Sequence, residues 1–469
     1  MDHQSVRMPW WFWPVTSLLV ACGYWYWALN IYAPANAVIV IASGRPRGNN
    51  SDLYARWLGT RELLLHGRDP YSPEITREIQ AGFYGRPLNP QNLSDPIQQE
   101  AFVYPIYVAF LLAPTVGLPF RIVAEVFRWI LLASVALSVP LWIGAISFRT
   151  RASVTIAAML LALSSPPAVV EFFQQNLIAL AMLFLAAAAA AIVRNRLVAG
   201  GILLAVATVK PDSTATLILW FLLWAASKWR NRNQLIWSFS AAVIVLWIAG
   251  ETLSRHWLGR FLQAVLDYRS YGTDPSVLDV LLPSSVAKVV TVVLTISLIL
   301  LCWRFRKAAA GSEQFRWALA SVATVTFITY PKLADYNQLL LIPPLLALGV
   351  SYHRLDRLSL LSRALMKAPF ACLIWSWAAA TALSLWSVAF PTSNFHAIAR
   401  LPDYTSHAVG PLTLLALMML LYAAVNHDRP KDATQVTTSP TQGPATVPAR
   451  KLRGSCFFLF LRPTTQGPG

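Results

Sequence analysis

Charge is scarce in this chain. Only 13% of its 469 residues are Asp, Glu, Lys or Arg, against 56% hydrophobic, a balance that excludes an ordinary soluble globular domain. Acidic residues are scarcer still: 21 Asp and Glu face 38 Lys and Arg, a formal charge of +17. The four cysteines, Cys22, Cys302, Cys372 and Cys456, stand far apart with no Cys-x-x-Cys or Cys/His spacing, so neither a disulfide framework nor a zinc site is indicated. There is no Gly-rich phosphate loop and no Rossmann-like segment, and no convincing internal repeat. No metal and no cofactor is expected.

What the chain has is apolar length. A run such as Phe184 to Val193, with Ala186 to Ala191 in sequence, offers water no polar face, so its backbone groups must be satisfied within a helix. Similar stretches recur at 10–32, 122–147, 152–170, 176–193, 197–209, 213–227, 235–250, 285–303, 316–330, 336–352, 369–390 and 409–425. The fold class expected is all-α: a polytopic membrane protein of about 11–13 transmembrane helices. Residues 102–120, broken by Pro105, Pro114 and Pro119, are expected to form a short or re-entrant element. Trp10 to Tyr32 is too long for a signal h-region and is expected to be a retained first span, with aromatic residues at both ends.

The excess of basic residues reads as topology, not as an affinity for nucleic acid. Arg149/Arg151, Arg194/Arg196, Lys228/Arg230/Arg232, Arg304/Arg306/Lys307 and Arg354/Arg357/Arg363/Lys367 recur at every second loop, as cytoplasmic loops should. Both termini are then cytoplasmic, in the cell membrane, and the polar stretch 34–101 is the first extracytoplasmic loop. Within it Leu53, Trp57 and Leu64 share a narrow arc flanked by Tyr54 and Leu65, which predicts an amphipathic helix over 53–66 lying on the membrane. Gly67 should end it, and Pro70-Tyr71 should begin an extended segment. Residues 1–427 make one membrane domain; 428–469, rich in Pro, Thr, Gln and Gly, are expected to be a disordered cytoplasmic tail.

That topology gathers Asp52, Glu171, Gln174 to Asn176, Lys210 to Asp212, Asp267, Asp274, Asp279 and Tyr330 to Asn337 on the outer side. Ionisable groups beside apolar spans are costly unless they face a cavity or a partner, so the set points to a polar cavity there, or to loop and cap residues at the interface. Asp52 suits two roles, N-cap of the loop helix or general base. Lys210 and Lys332, at outward helix ends against prolines, could neutralise an anion or snorkel to headgroups. Glu125 and Arg128, three residues apart within a span, read as a structural pair.

Ser51-Asp52-Leu53-Tyr54, Leu64 to Tyr71 and Phe102-Val103-Tyr104-Pro105 resemble the first outer loop of the GT-C glycosyltransferases of family 87, the polyprenol-phosphate-mannose mannosyltransferase group. Gln175-Asn176 opening a span, Val209-Lys210-Pro211 closing one, and Pro331 to Tyr336 before Leu339-Leu340-Leu341-Ile342-Pro343 extend the resemblance over roughly residues 10–350. The pattern departs at Gln174, where glycine is usual, and at Ile106, where a second proline is usual. The resemblance implies a GT-C-like enzyme with Asp52 as catalytic carboxylate. It implies transfer of a hexose, most readily mannose, with inversion, from a polyprenyl phosphate to an extracytoplasmic lipid or glycan acceptor. Lys210 and Lys332 would stabilise the leaving phosphate; Gln175, Asn176, Tyr104, Asp335 and Tyr336 would bind substrate, although Asn176 also suits a cap and Asp335 a pair with Lys332. The rival readings are a secondary transporter, with broken helices at Lys210-Pro211 and Tyr330-Pro331, and a membrane scaffold.

Overall fold

A computed structural model describes residues 9–42, 51–89, 91, 92, 95, 96, 99–271, 275–330, 334–352, 359–391, 395 and 397–427. Among the described residues every regular element is helical. Lys332, Asp274 and the 428–469 tail lie outside them.

Helix α1 (Phe12–Trp27) continues through a π-helical turn at Ala28–Tyr32 into α2 (Ala33–Ala42). Helix therefore extends past residue 34, where the polar loop was expected to start, because Ala37 to Ala42 is still an apolar run.

The first loop holds α3 (Asp52–His66) and α4 (Pro73–Tyr84). The cap of α3 is Ser51, whose Oγ accepts from the Leu53 N–H at 3.3 Å, so Asp52 is freed from capping and occupies the first helical position. Gly67 closes the helix at φ 65°, as its sequence position suggested. The expectation that α3 lies on the membrane surface is corrected: Leu53, Ala55, Trp57, Leu58, Thr60, Glu62 and Leu63 are all buried. These positions cover most of the helix circumference, the mark of an interior helix. Gly59 is the reason it can sink inward, since a Cβ there would stand 2.4 Å from Phe102 Cδ2. Nor is Pro70-Tyr71 extended; it turns into Ser72, whose Oγ caps α4 by accepting from the Ile75 N–H at 3.3 Å.

Helix α5 (Val108–Leu112) has 5 residues, a rise of about 8 Å, which agrees with a short element in 102–120. The chain then runs through α6 (Phe120–Ala145), α7 (Ala152–Leu163), α8 (Pro166–Gln174), α9 (Ile178–Val193), α10 (Leu197–Ala207), α11 (Pro211–Ala226) and α12 (Trp229–Leu253). After these come α13 (Trp257–Tyr271), α14 (Val277–Leu281), α15 (Ser284–Phe305), α16 (Glu313–Thr329), α17 (Ile342–Val350), α18 (Leu360–Ala389) and α19 (Ser406–His427). A 3-10 segment, Asp335–Leu341, precedes α17.

Five helices among the described residues are long and apolar enough to cross a membrane: α6, α12, α15, α18 and Leu401–Ala423. Helices α7 and α8, bent by 57° at their junction, make a sixth if taken as one span. This agrees with an all-α polytopic membrane protein, the count being of single long helices only. Two further apolar helices are shorter, α9 with 16 residues and α10 with 11, and α9 is covered by protein from Ile178 to Ile192 on most of its surface. At the contact of α10 with α12, Gly201 has no room for a Cβ, which would fall 2.4 Å from Leu235 O.

Two polar devices hold this interior. At the bend between α7 and α8, Trp25 Nε1 of α1 donates to Leu163 O at 3.2 Å and Trp377 Nε1 of α18 to Ser164 O at 2.7 Å, satisfying carbonyls that the break releases. Elsewhere Arg232, expected in a solvated cytoplasmic cluster, is 7% exposed. Its guanidinium donates to Trp224 O and Ala308 O, both at 2.8 Å, and to Arg306 O at 3.3 Å, and lies 3.7 Å over the Trp224 ring.

Candidate active site

The N-terminus of α3 meets the junction of α8 and α9 side chain to side chain. Ser51 Oγ donates to Gln175 Oε1 at 2.6 Å, and Asn176 Nδ2 donates to Asp52 Oδ2 at 2.6 Å. Gln175 spends its other end on Ala124 O, and Asn176 Oδ1 accepts from the Ile178 N–H at 3.1 Å, opening α9. Gln175 stands at φ 54°, in the left-handed region where a side chain is uncommon. Its two amide hydrogen bonds hold it there. Both amide residues thus serve structure, and Asn176 also fixes the rotamer of Asp52, whose other oxygen is left for a further partner.

One turn along α3, Arg56 lies 4.5 Å over the Tyr104 ring. Lys210 Nζ lies 5.8 Å from the same ring and 5.6 Å from that of Tyr336. Two cations therefore share the ring of Tyr104, contacts that stabilise positive charge. Lys210 is 5% exposed, so it points inward and does not snorkel; its ion-pair partner is Asp212, at 3.3 Å. Asp212 in turn accepts from the Tyr330 hydroxyl. For Arg56, burial opposes the charge, but Tyr104, Asp52, Glu100 and Tyr336 more than offset it and hold the guanidinium more firmly protonated than in water. Tyr104 itself is fixed through its carbonyl, which accepts from Tyr71 Oη at 2.6 Å.

Asp335 makes its contacts elsewhere, with Gln338 Nε2 at 3.4 Å and His407 Nδ1 at 3.7 Å. Glu125 and Arg128 do form a pair, at 2.6 Å, and Arg128 also stacks on Phe172 and donates to Phe172 O. Two residues of the cluster were not among the sequence candidates. Arg56 follows Asp52 by four positions, a spacing that puts both on one helix face, and would have been found had α3 not been assigned to the membrane surface. Asp212 was noticed only as an outward polar residue.

Beyond Asp335, Gln338 also lines an apolar cavity of about 200 Å³ among α6, α7, α17, α18 and α19, with Leu161, Leu341, Leu345, Phe370 and Trp377 on its walls. Among the described residues no group of three or more His, Cys, Asp and Glu is placed to hold a metal ion.

The chain is all-helical among its described residues, has several helices long and apolar enough to cross a membrane, and sets a carboxylate near two inward cations. Residues 102–331 match glycosyltransferase family 87, and the chain is a membrane glycosyltransferase. The match covers just under half of the chain, with Tyr104, Gln175, Asn176 and Lys210 inside it and Asp52 before it. No curated protein and no solved structure matches the chain.

Proposed function

We propose that this glycosyltransferase moves a hexose, with mannose the first candidate, from a polyprenyl phosphate to a lipid or glycan acceptor on the extracytoplasmic face, with inversion. The observation that carries the reading is the placement of Arg56 and Lys210 on one aromatic ring next to Asp52. In a single displacement the acceptor hydroxyl loses its proton to Asp52 as its oxygen attacks the anomeric carbon. The bond to the phosphate oxygen breaks, and the leaving group departs as an anion that needs cations and no general acid. Arg56 and Lys210 supply that charge; Lys332 remains a candidate third cation. Asn176 aims the carboxylate, and Tyr104 and Tyr336 pack around the phosphate. The apolar cavity past Gln338 suits the lipid chain of such a donor.

The test is incubation of the purified protein with radiolabelled polyprenyl-phosphate-mannose and native membrane lipids, followed by a search for a new labelled product. Glucose and galactose carriers run in parallel identify the sugar. Failure with every polyprenyl-phosphate sugar overturns the donor and favours transport of a lipid-linked substrate.

A further inference from the structure

At the start of the Asp335–Leu341 segment lies a second polar cluster that the reaction above does not use. Asp335 and His407 side chains are 3.7 Å apart, and 40% and 45% of their surfaces stay open. Asp403, in the turn before α19, is close enough for its carboxyl to interact with that of Asp335. Tyr24 of α1 is 0% exposed, has a hydroxyl with no hydrogen-bond partner, and lies within electrostatic reach of Asp403 and Asp335. A buried, unpartnered hydroxyl is costly and rare. It is accounted for when a ligand completes its hydrogen bond.

We propose that Tyr24, Asp335, Asp403 and His407 seat a neutral, polyhydroxylated group: the sugar of the donor or the sugar-like headgroup of the acceptor. This rests on the glycosyltransferase reading above. Two carboxyls repel a phosphate but accept from adjacent hydroxyls, and the imidazole and the phenol can each donate or accept as a hydroxyl requires. Charge thus divides the substrate, phosphate toward Arg56 and Lys210, hydroxyls toward this cluster. The two halves adjoin, because Asp335 precedes Tyr336, whose ring faces Lys210.

The probe is a set of methyl hexopyranosides, and the readout is carbodiimide labelling of carboxyls in the full-length protein, followed by mass spectrometry with the exposed Glu74 as reference. Labelling of Asp335 and Asp403 should fall several-fold at saturating glycoside while Glu74 is unchanged, and Asp403→Asn and Tyr24→Phe should weaken the protection of Asp335. In transfer assays the same two variants should raise one KM by about tenfold with little change in kcat. A rise confined to the donor assigns the cluster to the transferred sugar; a rise confined to the acceptor assigns it to the acceptor. Unprotected carboxyls in the wild-type protein overturn the site, whatever the variants do. If no polyprenyl-phosphate sugar is used at all, the donor proposal fails separately, and the labelling still decides the cluster.

Discussion

Arg232 and the pair Arg56 and Lys210 are cations withdrawn from bulk water and held in opposite ways. Arg232 gives its donors to three main-chain carbonyls and stacks on one indole; nothing is left for a ligand. Arg56 and Lys210 rest mainly on ring faces, with the Asp52 carbonyl and the Asp212 carboxylate as their direct polar partners. The first kind of cation is consumed by the fold, while the second keeps donors open. Burial alone does not separate structural from functional basic residues; the saturation of their donors does.

The largest effect expected lies next to the second pair. Asp52→Asn should lower transfer by about a hundred- to ten-thousandfold while the protein still inserts and folds, because Ser51 and not Asp52 caps α3. Near-normal turnover would remove Asp52 from the chemistry. Arg56→Met and Lys210→Met should each cost about ten- to a thousandfold in rate. Donor titrations show whether the loss is in kcat, as for charge that develops in the transition state, or only in KM. Wild-type constants for both variants would erase the contrast with Arg232.

Arg232→Met should do the reverse: it takes one donor from each of three carbonyls, which keep Ser227 Oγ or Trp224 Nε1 as a second, costs about 1–3 kcal/mol of stability, and leaves kcat of the folded fraction unchanged, as a lowered Tm with normal turnover would record. The smallest effect concerns an ion pair of a third kind, in the first loop. Asp95 accepts from Arg86, the Asn89 N–H and Asn92, and the Arg86 guanidinium, with the Asn89 amide, lowers its pKa from 3.8 to about 2. Its folded-state pKa is depressed, so its contribution is complete above about pH 4 and is lost as the pH falls through about 2. Proteolytic nicking near residue 89 should therefore increase over that window in the wild type, and Asp95→Asn should be nicked already at neutral pH.

How much of this was legible beforehand differs by element. All-α membrane character follows from the apolar runs, because lipid leaves the backbone few alternatives, and Gly67 and the short α5 were marked by residues with fixed conformational habits. Which apolar runs lie at the centre of the bundle was not legible: α9 is as apolar as any membrane helix, and only its neighbours show that protein covers most of its surface. Hydrophobic periodicity also misplaced α3, since a surface helix and a helix sunk against Phe102 differ in what covers the polar face, here Glu62 with its His66 and Arg68 partners. In the site, Lys210 stood out through its proline and its distance from the basic clusters. That its neighbour would be Arg56 could not be read, because Tyr104, the ring that joins them, is 48 positions from one and 106 from the other.

The bend between α7 and α8 has a consequence for how the chain is made. Its carbonyls are met by Trp25, 138 positions away in sequence, and by Trp377, 213 positions away. During synthesis the first indole is present when α7 emerges, but the second is added only after most of the protein has been translated. Until then the Ser164 carbonyl is without the Trp377 donor in a setting that penalises the vacancy by several kcal/mol. Biogenesis therefore passes through a stage at which the half-made bundle is unsettled at its centre, and arrival of α18 is what completes it.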